Sequence, residues 1–399
     1  MQSKQSDKVT LWYLFITFLK IGSAAFGGFM SLIAVVQYQL AERDKVIKSE
    51  TVLDGISLTS ILPGPMAVNT VAYIGYQLRG TAGALVSMLG VIIPSFILIC
   101  TLSHFYFEYG QFEEVKAAFK GVLPAVSGII IGIAYKMGRK HIKDYKQVIM
   151  AISATLILLF VGGFWTTFII LFAGGLIGYP LYHKQFPKQA KKYSIKPIQF
   201  LWPVLLIIVC LSIIPLTDLY SRETGAELGD GFSLLGTFSS ISISLFGGGY
   251  VFLPVMQEII VEHHNWVLPQ EFADGIALGQ ITPGPIMITA TFVGYKVLGF
   301  WGALIATIGM FLPPGLLTIY CARFFDAIRL SSVIQAAFKG VRPVVIGMIL
   351  SAAFIIGKDL DLSWQSFTIG IAVLGLSVFT KVHLIYLIFA SGIIGVLLF

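Results

Sequence analysis

Apolar runs long enough to cross a bilayer recur about a dozen times along these 399 residues, and that recurrence leaves the chain few folds. A hydrocarbon core about 30 Å thick takes roughly 20 residues of α-helix. Between the runs lie only short loops, with no room for a separate soluble domain. Apolar residues make up 56% of the chain and charged residues 12%, with a mean hydropathy of +0.86. A soluble domain carries about 25% charged residues, so this chain has too few to clothe itself in water. The expected fold is an all-α polytopic membrane protein whose partner is the lipid bilayer.

The net charge of +7 does not point to nucleic acid. Lys and Arg gather in a few loops, as the positive-inside rule asks, and no basic stripe lies on a soluble surface. Cys100, Cys210 and Cys321 sit in apolar runs without metal-ligand spacing, so neither a metal, a cofactor nor a disulfide framework is expected. Met1–Lys8 before Leu11–Ile21 has the outline of a signal peptide. No small-residue cleavage site follows, and the segment has a counterpart later on, so it reads as mature structure.

That counterpart belongs to a duplication. Leu53–Pro65 (LDGISLTSILPGP) aligns without gaps on Ala273–Pro285 (ADGIALGQITPGP), with 8 of 13 positions identical. The same 220-residue shift carries Phe26-Gly27-Gly28 onto Phe246-Gly247-Gly248. After a slip of one residue, Ala117–Val126 matches Ala336–Val345 at 8 of 10 positions. Apolar composition alone would match far less often, so the halves are repeats. Each half holds six apolar segments, near 11–39, 55–78, 81–107, 119–137, 148–162 and 165–181, then 234–261, 273–297, 300–325, 338–357, 364–378 and 383–399. One further span, near 198–216, lies between them, giving about 13 membrane segments. The expected domains are a first transmembrane repeat over 1–182, a linker with one span over 183–232, and a second repeat over 233–399.

Six crossings and one more would start the second half from the opposite face. Lys136, Arg139, Lys140, Lys143 and Lys146 mark one loop as cytoplasmic, and five lysines between Lys184 and Lys196 fall on the same side. Thr217–Gly231 is acidic on balance, and so is Gly357–Ser363, the counterpart of the basic Lys136 loop. Two loops dissent: Glu42–Glu50 is near neutral and Val261–Glu271 is acidic. The expectation is an inverted-topology repeat.

Two places in each half resist reading as plain helix. Leu11–Leu40 would run about 45 Å as one rod, and it contains Phe26-Gly27-Gly28, where paired glycines favour a kink. Pro63-Gly64-Pro65 and Pro283-Gly284-Pro285 stop one half-helix and start another, because proline lacks an N–H and disfavours helix in the residue before it. Broken helices inside a membrane leave amides that need protein or a wet cavity, and a half-helix N-terminus attracts an anion. Four such breaks suit a midplane site between inverted repeats. The competing explanation is that these glycines and prolines serve close helix packing.

The duplicated FGG and PGP elements, the DGI-x-L-x-x-I lead-in and the AAFKGV-x-P segment together resemble the chromate ion transporter family. The layout resembles its long two-domain form, whose halves also occur as separate short proteins, and the resemblance covers essentially the whole chain. It implies an exporter of chromate driven by the proton motive force, with sulfate as a related or competing anion. Many members are more polar after PGP than Met66-Ala67-Val68-Asn69 and Ile286-Met287-Ile288-Thr289, a departure that bears on the anion more than on the fold.

Further candidates are polar groups within the apolar runs. Lys20 lies near mid-depth and would partly neutralise an anion, unless it snorkels to the interface; its counterpart is Ser240. Lys120 and Lys339 recur at segment starts. Asp54 and Asp274 recur just before a half-helix, as caps or as proton-coupling groups. Asn69 with Thr289, Gln37 with Gln257, and Gln280 with Thr282 could bond the anion or bridge helices. His263-His264 reads as solvated.

No paired in-membrane aspartates, H-E-x-x-H or Ser–His arrangement suggests an enzyme. A passive anion channel uses the same parts, and an exporter of another metabolite is a further alternative. The expected setting is a bacterial inner membrane, with a homodimer among the allowed assemblies.

Overall fold

The computed structural model describes residues 9–25, 29–109, 113–161, 164–185, 202–212, 229–245, 252–324, 331–358, 363–380, 382 and 384–399. Among them every regular element is helical. In the first half these are α1 (Leu11–Ala24), α2 (Phe29–Val36, continuing as the π-helical turn Gln37–Arg43), α3 (Ser49–Thr59), α4 (Met66–Tyr109), α5 (Glu113–His141), α6 (Tyr145–Phe160) and α7 (Phe164–Tyr182). The linking helix is α8 (Trp202–Ser212). The second half has α9 (Asp230–Ser244), α10 (Phe252–Met256, continuing as the π-helical turn Gln257–His263), α11 (Pro269–Ile281), α12 (Thr289–Cys321, entered through the 3₁₀ turn Ile286–Ile288), α13 (Ser332–Lys358), α14 (Trp364–Phe379) and α15 (Leu384–Leu398).

Met66–Tyr109, Lys116–Arg139 and Ile286–Phe324 are long and apolar enough to cross a membrane. Phe160 and Phe379, equivalent residues closing α6 and α14, are 84% and 86% exposed. Water would penalise such surfaces and lipid does not, so the chain is a multi-pass membrane protein.

The breaks follow from local chemistry. Thr10 opens α1 by accepting the Tyr13 N–H at 3.0 Å. The helix ends at Ala24 and resumes at Phe29, so the expected 11–39 segment is discontinuous. The expected 55–78 segment is likewise two helices, α3 and the start of α4, separated by Pro63-Gly64-Pro65. As a straight rod α4 would run about 66 Å, but it turns at Arg79 and Gly80, where the Gly80 φ is 60°. Its short arm of about 20 Å folds back so tightly that a Cβ on Gly75 would lie 2.5 Å from the Gly83 carbonyl oxygen. α12 repeats the device at Leu298-Gly299, with Gly294 against Gly302. The two π turns are also equivalent under the 220-residue shift.

The helices form two compact units, and each draws on both repeats. The first comprises Met1–Cys100, Lys188–Gly249 and Thr282–Ser331. In it α1 packs on the long arm of α4, where a Cβ on Gly22 would meet the Val91 carbonyl at 2.6 Å. α9 packs on α12 in the same way, and Ser242 Oγ donates to the Gly309 carbonyl at 3.2 Å. Ser240 is buried and donates to the Cys210 carbonyl of α8, whereas its counterpart Lys20 is exposed on α1.

The second unit comprises Thr101–Pro187, Tyr250–Ile281 and Ser332–Phe399. Its halves exchange partners. α5 of the first half packs against α14 and α15 of the second: a Cβ on Gly121 would meet the Ser391 carbonyl at 2.2 Å, and one on Gly128 the Gly370 carbonyl at 2.6 Å. α13 of the second half packs against α6 and α7 of the first, where a Cβ on Gly340 or Gly347 would lie 2.1 Å from the Gly174 or Ala151 carbonyl. Small residues at crossings are how membrane helices approach closely without a hydrophobic drive. Thr155 Oγ1 adds a bond to the Gly347 carbonyl at 2.9 Å. Asp144 and Ser363, equivalent residues, cap α6 and α14.

Candidate anion site at the helix breaks

The two PGP turns lie in the first unit and have the same backbone. Gly64 has φ 103° and Gly284 φ 105°, a region open to glycine and strained for other residues. Each turn is locked by the opposite repeat. The Gly64 N–H donates to the Leu245 carbonyl at 2.7 Å, and the Gly284 N–H to the Ala25 carbonyl at 2.8 Å. Ala25 and Leu245 are equivalent and stand just before the two FGG motifs. The glycines also rest on equivalent residues of the opposite long helices: a Cβ on Gly64 would lie 2.2 Å from Pro314 Cβ, and one on Gly284 2.0 Å from Ser95 Oγ. Ser95 Oγ donates to the Pro283 carbonyl at 2.5 Å. These two glycine amides are therefore spent on holding the turns.

What remains available lies one step further along. The α4 helix starts at Met66 straight after Pro65, and its first intrahelical bond is Asn69 N–H to Pro65 O at 2.9 Å. The amides before it have no acceptor within the helix. Ala67 and Val68 are buried. Asn69 does not cap them. Its Nδ2 donates back to the Pro63 carbonyl at 3.0 Å, and its Oδ1 is buried without a hydrogen-bond partner. In the second half Ile286, Met287 and Ile288 are buried and Pro285 gives their turn no side-chain cap; the Ile288 N–H is taken by the Pro285 carbonyl at 3.0 Å, so the amides at issue are those of Ile286 and Met287. Thr289 Oγ1 turns back to the Ile286 carbonyl at 3.1 Å. Buried helix starts without side-chain caps are unusual, and an anion is the partner such amides favour.

The other candidates are spread through the molecule. Phe26, Gly27, Gly28, Phe246, Gly247 and Gly248 lie outside the described residues. Gln280 is buried in the second unit, with its Oε1 unpartnered. Lys20 is exposed on α1 rather than buried beside a break. Lys120, also exposed, lies 6.0 Å over the Phe399 ring. Lys339 Nζ lies 4.7 Å over the Tyr182 ring and donates to Gln185 Oε1. His263 is exposed, with its ring 4.8 Å from that of His264.

Asp54 and Asp274 part company. Asp54 is half-buried on α3. Asp274 is 1% exposed on α11, with Oδ2 accepting from the Tyr106 hydroxyl at 2.7 Å and Oδ1 without a partner. Sequence reasoning passed over Tyr106 and Ser95. The available signal was the one-residue slip, which sets Tyr106 against Phe325 and Ser95 against Pro314, two places where the repeats differ in a hydroxyl.

The Chromate transporter family model matches residues 12–179 and 232–396, one stretch in each half. An uncharacterized transporter of Methanocaldococcus jannaschii is 29% identical over 386 residues, covering 96% of this chain and 94% of the relative. A probable chromate transport protein of Synechococcus elongatus is 31% identical over 360 residues, covering 90% and 87%. A chromate transport protein of Cupriavidus metallidurans is 27% identical over 359 residues, covering 88% and 83%. No solved structure matches the chain. With both halves covered by the family model, and the motifs that it spans forming paired, mutually locked turns, this chain belongs to the Chromate transporter family.

Proposed function

We propose that the chain is a secondary active exporter of chromate in a bacterial inner membrane, driven by the proton motive force and competed for by sulfate. The observation that carries this reading is the pair of buried, uncapped helix starts after Pro65 and Pro285. Amides and helix dipole together offer an oxyanion positive charge without any titratable cation. Asn69, whose second amide hydrogen is not needed by Pro63, and the adjoining PGP residues complete the site; Thr289 stands at the equivalent place. The reading does not depend on Lys20. The matched relatives named as chromate transport proteins support the choice of anion.

The repeats have opposite membrane orientation and about 13 spans in this reading, supported by the charge reversal between equivalent loops and by the reciprocal Gly64 and Gly284 bonds. A site locked equally by both repeats suits alternating access, in which the halves trade roles around one position. Uptake of labelled chromate into inverted vesicles tests it. Accumulation that requires a proton gradient and falls with added sulfate is expected. Flux that only runs downhill would make the protein a channel, and no flux would remove chromate as substrate.

A further inference from the structure

We propose that Asp274, held by Tyr106, is the proton-binding site of the protein, and that its repeat mate Asp54 is not. The proposal deepens the transport reading above and rests on it only for the second of its two tests. The geometry sets a problem that a proton solves. The Asp274 side chain is all but enclosed, one oxygen accepts a single phenolic hydrogen bond, and the other meets no donor. The ion pairs Arg43–Asp44 and Lys116–Glu113 do not involve Asp274. A bare carboxylate in such a place is a high-energy species.

Among the described residues no cation is paired with Asp274. α11 packs against α5, α13, α15 and the π turn after α10. The titratable groups on these elements include Lys120, Lys339, Arg342, Tyr386, Glu258 and His263. The groups that act electrostatically on Asp274 are instead Tyr106 and Glu271, and neither is a cation. A metal ion fits poorly: the hard cations want six or more oxygen ligands, and no cluster of three His, Cys, Asp or Glu exists among the described residues. A proton asks for one oxygen, and Asp274 Oδ1 is that oxygen.

The repeats show that the arrangement is not merely a duplicated cap. Asp54 and Asp274 occupy the same place in the lead-in to PGP, yet Asp54 is half-buried. Under the one-residue slip, Tyr106 corresponds to Phe325, which has no hydroxyl. Only one copy of the lead-in therefore has both the enclosed carboxyl and the phenol that orients it. The step is an acid–base equilibrium: Asp274 carboxylate and a proton from the aqueous phase give the carboxylic acid, and exposure of α11 returns the proton. Tyr106 donates to Oδ2 throughout and is not consumed.

Two measurements on the full-length protein decide the matter. Dicyclohexylcarbodiimide, an apolar reagent selective for protonated carboxyls in apolar surroundings, is applied to purified protein across a range of pH, and adducts are located by peptide mass spectrometry. An adduct on Asp274 that is lost as the medium turns alkaline is expected, with Asp54 unlabelled under the same conditions. Absence of that adduct at every pH overturns the proposal, whether or not the protein binds chromate. In the second measurement chromate is added to weakly buffered protein and the pH change is recorded with a dye. Asp274→Asn should lose the proton exchange while still binding chromate, Asp274→Glu should retain it, and Asp54→Asn should behave as wild type. Wild-type proton exchange in Asp274→Asn sinks the proposal and leaves the anion site standing. Failure of the wild type to bind chromate sinks the transport reading, and the labelling still decides Asp274.

Discussion

The two copies of the repeat agree in backbone and differ in side chains, and the contrast separates what builds the fold from what the fold carries. Gly64 and Gly284 share a φ within two degrees and give their N–H groups to equivalent carbonyls. The elbows at Gly80 and Gly299, the π turns and the helix caps at Asp144 and Ser363 also recur. Around these shared devices the side chains diverge: Asn69 against Thr289, Ser95 against Pro314, Tyr106 against Phe325, Lys20 against Ser240. Duplication preserved the turns because each completes its opposite number. It left the polar groups around them free to specialise.

The strongest way to break this comparison is to separate the copies. Residues 1–185 expressed alone contain α5 but neither α14 nor α15, its packing partners. That half should aggregate on size-exclusion chromatography, and co-expression with residues 202–399 should restore a co-purifying complex. A well-behaved isolated half would contradict the exchange.

Next in size come the shared glycines. Gly64→Ala and Gly284→Ala each place a Cβ at a φ that costs about 1–3 kcal/mol, and overpacking adds a similar amount. The remedies differ. Ser95→Ala removes the oxygen that a new Cβ on Gly284 would strike, while its own Cβ stands 3.3 Å away. The Pro314 ring offers Gly64→Ala no comparable relief. Thermal unfolding in detergent should show Ser95→Ala rescuing Gly284→Ala, with Pro314→Ala failing to rescue Gly64→Ala. Equal rescue would mean that the turns tolerate more adjustment than their contacts suggest.

Tyr106→Phe makes the first copy resemble the second and strips Asp274 of its one donor. A loss of about 1–3 kcal/mol is expected, because a buried acceptor is left bare. Asp54→Asn, at the half-buried mate, should stay within about 0.5 kcal/mol. Chemical denaturation of the two variants side by side checks the difference.

Smallest is Ser95→Ala alone. It deletes the bond to the Pro283 carbonyl and should cost about 1 kcal/mol. The same assay on Pro314→Ala, where no hydroxyl exists to lose, is the control.

Much of the architecture was legible because glycine and proline act through the backbone. The helix ends just before the FGG motifs, the breaks at PGP, the duplication and the membrane setting all follow from residue types whose conformational rules are local. The elbows at Gly80 and Gly299 fall where the segments 55–78 and 81–107, and 273–297 and 300–325, part, since Gln77, Arg79 and Lys296 interrupt the apolar run there. The exchange of helices in the second unit could not be read at all. Gly121 and Gly340 announce close packing without saying against what, and the partner of each lies in the other repeat. The half-helix starts after Pro65 and Pro285 could be read from the prolines, but the locking bonds from Gly64 and Gly284 to carbonyls of the opposite repeat could not. Asp274 and Asp54 look interchangeable in the sequence, and only three-dimensional enclosure distinguishes them.

The exchanged helices also set a timetable for biosynthesis. α5 is complete at His141, but the surface it needs is not finished until α15 ends at Leu398. At roughly 5–20 residues per second, translation of the intervening stretch takes on the order of tens of seconds. Throughout that interval the glycine-notched face of α5 stands in lipid without its mate, open to any passing helix with small residues of its own. A newborn chain of this kind depends on being sheltered until its last two helices arrive, and truncation near its C-terminus would maroon a helix made long before the stop.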